Sequence, residues 1–167
     1  MYYLKRSVIV IFLIVIVILI SYKSSNTISE VSKEPIIYDS YVNEEYYGYI
    51  KIPSIGMNLG FYEYDNPLND VDLNVLWIPI PVENSYLFAA HSGVGSVAYF
   101  NDLRNVAIGD DIILSLGDKR LHYEVTNIYR TKKDGDIAIS KNEGMIYLTT
   151  CDQVIKGYQL VIEGINK

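Results

Sequence analysis

Two kinds of side chain in this 167-residue sequence could do covalent chemistry together: its only cysteine, Cys151, and one of its two histidines. Cys151 ends the run Met145-Ile146-Tyr147-Leu148-Thr149-Thr150-Cys151, an apolar, strand-like stretch that stops at a thiol next to two hydroxyls. A free cysteine without a reactive role packs as a small hydrophobe, so a thiol at a strand end points to reactivity. Only about a few per cent of an ordinary thiol is ionised at neutral pH. Nucleophilic use therefore needs an imidazole that favours the thiolate and later protonates a leaving amine. In Leu121-His122-Tyr123-Glu124-Val125, alternation puts His122 with Glu124 on the face opposite the apolar residues, in solvent. His91 instead ends the apolar run Tyr86-Leu87-Phe88-Ala89-Ala90 and opens the glycine-rich Ser92-Gly93-Val94-Gly95-Ser96, at the rim where functional groups emerge. Cys151 as nucleophile and His91 as general acid and base is the acyl-transfer pairing; on spacing alone it competes with a buried thiol and an unrelated rim histidine. No histidine follows Cys151, which excludes papain-like order. One cysteine excludes an intrachain disulfide and leaves too few ligands for a cysteine-rich zinc site.

The elements that must position these groups are short β segments. Tyr49–Ile52, Met57–Phe61, Tyr86–Ala90, Asp111–Leu116, Arg120–Val125, Met145–Thr150 and Gln159–Ile165 read as strands, with Gly117-Asp118 as a hairpin turn. Seven or eight such strands predict an all-β barrel or sandwich. Val97–Leu103 reads as a short helix. Residues 66–85, with Trp77, Pro79 and Pro81, read as a long ordered loop, because prolines exclude a regular central strand.

Ahead of this region, Lys5 and Arg6 precede thirteen uninterrupted apolar residues, Val8 to Ile20. Thirteen residues rise about 20 Å against roughly 30 Å of hydrocarbon, so a spanning helix recruits Ser7, Ser21 and Tyr22 while Lys23 snorkels. The length also suits a signal peptide, but residues 21–27 lack a pair of small residues at cleavage spacing, so a retained anchor is expected. The flanking charge keeps the tail cytoplasmic. The expected organisation is a cytoplasmic tail at 1–6, a single-pass transmembrane signal anchor at 7–22, a polar linker at 23–45 and an extracytoplasmic domain at 46–167, held at the cell membrane. Without Lys5, Arg6 and Lys23, 11 basic residues face 20 acidic ones, so no basic surface is left for nucleic acid.

Four blocks, in order, resemble the sortases, the extracytoplasmic cysteine transpeptidases of mainly Gram-positive bacteria. These are Tyr49-Ile50-Lys51-Ile52-Pro53-Ser54-Ile55, Ala90-His91-Ser92, Phe100-Asn101-Asp102-Leu103 through Gly109-Asp110, and Leu148-Thr149-Thr150-Cys151. The resemblance implies an eight-stranded β-barrel with one or two short helices. It implies that Cys151 attacks the threonyl carbonyl of a Leu-Pro-X-Thr-Gly-like sorting signal on a surface protein, forming a thioester. An amine of a cell-wall precursor or a pilin then resolves that thioester.

This chain departs from the family on the strand after the cysteine, where sortases carry an arginine. Gln159 falls there, and Lys156 is the only basic residue between Cys151 and the terminal Lys167. Losing an oxyanion-stabilising donor costs about 100- to 1000-fold in other enzymes. Three outcomes stay open: a slower enzyme using Gln159, one borrowing Lys156, Arg104, Arg120 or Arg130, or a homologue that binds sorting signals without turnover. Outside the family, a membrane-tethered adhesion or sensor barrel with an inert thiol also fits. Tyr147 stands where the family usually has threonine, and a packing change is expected. Thr150 and Ser92 beside the reactive pair, and Ile137 and Ile139 in the 132–144 loop that lines the family's sorting-signal groove, are candidate substrate contacts. No cofactor is assigned. Some sortases bind calcium through loop carboxylates, which Glu63, Asp65, Asp70, Asp72, Asp134 and Asp136 could offer in principle.

Overall fold

A computed structural model describes residues 45–134 and 136–167; the expected tail, anchor and nearly all of the linker lie outside the described residues. Among the described residues no helix is long and apolar enough to cross a membrane.

Strand β1, Gly48–Ile52, alternates buried and exposed residues, with Ile50 and Ile52 fully buried. Pro53 cannot donate to a ladder and instead opens a short 3-10 turn, Pro53–Ile55, which returns the chain as β2, Met57–Phe61. β3 is Leu76–Ile78, β4 is Tyr86–Ala89, and a second 3-10 turn spans Asn101–Asn105. β5, Asp111–Leu116, and β6, Lys119–Lys132, form the expected hairpin, with Gly117 at φ 52 where a side chain would be strained. β7, Met145–Cys151, and β8, Tyr158–Asn166, complete one eight-stranded sheet ordered β2-β1-β5-β6-β8-β7-β4-β3. Every pairing is antiparallel except β4 with β7, and a lone bridge from Phe61 to Val75 brings the two sheet edges together, so the barrel is nearly closed.

Three sequence expectations need correction. β6 does not end at Val125. The bulge between Val125 and Asn127 inserts one residue and flips the strand's parity, so Ile128, not Asn127, packs on the core; the broken alternation hid seven further strand residues. Residues 66–85 are not all loop, because Leu76–Ile78 pairs with β4 as an edge strand immediately before Pro79, the position at which proline is tolerated. The helical turn expected over Val97–Leu103 lies at Asn101–Asn105.

β7 explains its own apolar run: six of its seven residues are buried because both faces are covered. Ile146 and Leu148 face the barrel interior with Phe88, Phe100 and Ile162, whereas Met145 and Tyr147 pack outside with Leu87. Ile78, Ile80, Ile137 and Ile139 cover that second cluster.

Candidate active site

The parallel β4/β7 pair brings together groups sixty positions apart. Phe88 lies opposite Leu148 and Ala89 opposite Thr149, and the next donor, the Ala90 N–H, bonds the Thr149 carbonyl at 3.3 Å. Two side chains then lock the strand ends. The Thr150 hydroxyl, buried, donates to the Ala90 carbonyl at 2.8 Å, and the Ser92 hydroxyl donates to the Cys151 carbonyl at 2.6 Å. These bonds set the backbone of residue 91 alongside that of Cys151, while among the described residues the imidazole and the thiol make no direct hydrogen bond to each other. Alternation in β7 puts Cys151 on the outer face with Met145 and Tyr147, and alternation in β4 puts His91 on that same face with Leu87. His122 is exposed on β6, as alternation predicts.

His91 is half-exposed, and its Nε2 lies 2.8 Å from Oδ1 of Asp72, a residue of the loop before β3. The Cys151 thiol bonds elsewhere: Nζ of Lys133 donates to Sγ at 3.1 Å. Lys133 follows β6 directly, and its own N–H is held by the Gly157 carbonyl at 2.8 Å. Gln159 lies opposite Cys151 in the β7/β8 register, the place where the family's arginine is expected, but its Nε2 donates to the Asp136 carbonyl at 3.1 Å. The cation in contact with the cysteine is thus none of the four basic residues considered from the sequence.

Those four fall elsewhere. Arg104 and Arg130 line a shallow recess with Thr150, Cys151 and Asp152, yet both are engaged: Arg104 donates to Oε1 of Gln153 at 3.0 Å, and Arg130 pairs with Asp152. The Asp152 side chain is only 3% exposed. That burial pushes its carboxyl up, but bonds from the Val154 and Ile155 N–H groups and from Arg130 outweigh it and hold the group below the ordinary carboxylate range. Arg120 sits opposite Ser115 at the other end of β6, and Lys156 is exposed in the β7/β8 turn.

On the outer face, Ile137 and Ile139 are half-buried against the Leu87, Met145 and Tyr147 cluster. Tyr147 is fully buried and its hydroxyl accepts the Ser140 N–H at 2.9 Å, clamping the loop down; burial raises its phenol above the ordinary range, and the Ser140 bond offsets part of that. Of the loop carboxylates, Asp70 accepts the Asp72 N–H, Asp134 accepts the Asp136 N–H and Asp72 meets His91. Among the described residues no three His, Cys, Asp or Glu side chains converge as an ion site.

Sequence reasoning missed Lys133 and the pairing of Asp72. The only available signal for Lys133 was its place in the 132–144 loop already assigned to the groove.

A model of the Sortase domain matches residues 50–164. Among solved structures, a Streptococcus pneumoniae sortase C is 24% identical, with 74% of this chain and 70% of that one aligned at a TM-score of 0.62. A lid mutant of sortase A from Corynebacterium diphtheriae is 21% identical over 82% of each chain at 0.62, and Listeria monocytogenes sortase A is 22% identical over 74% of this chain and 88% of its own at 0.62. No curated protein matches by sequence. The structural likenesses establish the shared barrel, and with the domain match over more than half its length this chain belongs to the sortase family, the cysteine transpeptidases.

Proposed function

We propose that this protein is an extracytoplasmic, membrane-anchored transpeptidase that joins sorting-signal-bearing surface proteins to an amine. The Cys151 thiolate attacks the threonyl carbonyl of a Leu-Pro-X-Thr-Gly-like signal, and the bond to the glycine nitrogen breaks as the His91 imidazolium gives that nitrogen a proton. The thioester left on Cys151 is then attacked by an amine of a cell-wall precursor or a pilin lysine; His91 takes the amine's proton, an amide forms, and the thiolate leaves. Ile137, Ile139 and the Cys151 end of β7 border the surface where the signal's apolar residues would lie. The observation that supports this reading best is the cross-locking of the two strand ends through Thr150 and Ser92, which holds the backbone segments carrying His91 and Cys151 side by side.

A second reading, a sorting-signal binder without turnover, draws on Gln159 in place of a cation opposite Cys151. The two separate in one experiment. The full-length protein in detergent is incubated with a Leu-Pro-X-Thr-Gly peptide, with and without an amine, and analysed by mass spectrometry. A thioester adduct on Cys151 and amide product are expected; peptide binding with neither species would leave the binder.

A further inference from the structure

We infer that Lys133 supplies at Cys151 the positive charge that Gln159 cannot, and that Gln159 serves to hold the Lys133 loop in place. This inference rests on the reading of Cys151 as the nucleophile. Nζ of Lys133 stands 3.1 Å from Sγ, within hydrogen-bond reach of the reacting atom itself. Among the described residues this ammonium makes no ion pair with a carboxylate, although Asp134 and Asp136 are its near neighbours in the chain, so its charge is directed at the sulfur. Of the charged groups in the recess that Cys151 lines, Asp152 is matched by Arg130 and Arg104 is turned to Gln153.

The loop is tied down on both sides of the lysine. The Lys133 N–H bonds the Gly157 carbonyl at the start of β8, and three residues later the Asp136 carbonyl accepts from Gln159. A neutral amide is suited to that second task, since it donates to a carbonyl without placing a second cation beside Lys133. The division of labour is therefore local: the residue opposite Cys151 is an anchor, and the cation reaches the sulfur from the loop that follows β6. A donor cation in contact with a thiol favours its ionised form.

In general, a unit charge about 3 Å from an ionising atom changes the population of its charged form by about tenfold even at the dielectric of water. The test uses the single cysteine of the full-length protein in detergent, following iodoacetamide alkylation by intact mass from about pH 6 to about pH 10, the upper end lying above the ordinary thiol range. Lys133→Met is expected to alkylate about tenfold more slowly than wild type at pH 7 and to converge with it at the alkaline end, whereas Lys133→Arg keeps the fast reaction. Equal rates for Lys133→Met and wild type across the range would overturn the inference, as would a Lys133→Arg protein as slow as Lys133→Met, which would assign the effect to shape. Both substitutions replace an exposed side chain, and circular dichroism checks that the barrel persists. Because alkylation needs no sorting signal, a Lys133-dependent rate without any peptide thioester would remove the enzyme reading alone. A thioester with Lys133-independent alkylation would remove this one alone.

Discussion

His91 and Asp72 meet at 2.8 Å, but the carboxylate is 80% exposed, and an ion pair this open contributes at most about 1 kcal/mol. In the proposed reaction Asp72 therefore orients the ring, while the ring carries the proton. His91→Ala is expected to lower kcat/KM for peptide cleavage by at least about 100-fold, the usual worth of a positioned acid and base, and Asp72→Ala by no more than about fivefold. Comparable losses in the two variants would show that Asp72 does more than orient. Cys151 and His91 were legible as candidates because each ends an apolar run, a pattern written within a few neighbouring residues. Asp72 and Lys133 were not. They lie 19 and 18 positions before their partners, in loops whose course is set by the fold and not by local periodicity.

β7 carries the site because it is sandwiched, with the barrel core on one side and the Leu87, Met145 and Tyr147 cluster on the other. That made it the most readable strand, since an unbroken apolar run bounded by a thiol has few other interpretations. β6 was only half readable: its bulge resets the alternation, and a period-2 reading stops there. Tyr147 shows what the sandwich does for function. Its ring fills the outer cluster and its hydroxyl holds the Ser140 N–H, so one side chain pins the loop that carries Ile137 and Ile139. Tyr147→Phe keeps the packing and loses the bond, a change worth about 1 kcal/mol confined to that loop. Faster amide exchange at Ser140 and a KM raised several-fold at unchanged kcat are expected, with the thermal midpoint nearly constant. Tyr147→Ala, by contrast, opens a cavity worth about 3–5 kcal/mol and would lower the midpoint of the whole domain. A kcat loss in Tyr147→Phe equal to its KM change would mean that the loop positions the chemistry as well as the signal.

At the scale of the molecule, the barrel closes through aromatic packing more than through backbone bonds. Among the described residues the edges meet through one bridge, Phe61 to Val75 just before β3, and the seam is filled by Phe61 against Phe88 at 4.7 Å and by Trp77 stacked on Tyr47 at 5.6 Å and packed against Tyr64 and Tyr86, which gives these tyrosines a packing role. Among the described residues two buried hydroxyls, those of Tyr123 and Tyr129, lack a hydrogen-bond partner, and of these the Tyr123 ring is fully buried. An unsatisfied buried hydroxyl costs about 1–3 kcal/mol, so Tyr123→Phe is expected to stabilise the domain and raise its thermal midpoint by about 4 °C for each kcal/mol recovered. The same burial, with the neighbouring Tyr86 phenol, drives the Tyr123 phenol upward, and burial beside Glu163 pushes Tyr129 up to about 12. The sign follows from proton uptake. Below about pH 10 these phenols are neutral in both states; above it the unfolded chain loses protons that the native barrel retains, so stability falls as pH rises, by about 1.4 kcal/mol per unit for Tyr123. The Phe variant lacks that loss, and its advantage over wild type in chemical denaturation should widen from pH 8 to about pH 11. An advantage that stays constant with pH would mean that the Tyr123 phenol reaches solvent and ionises in the folded barrel.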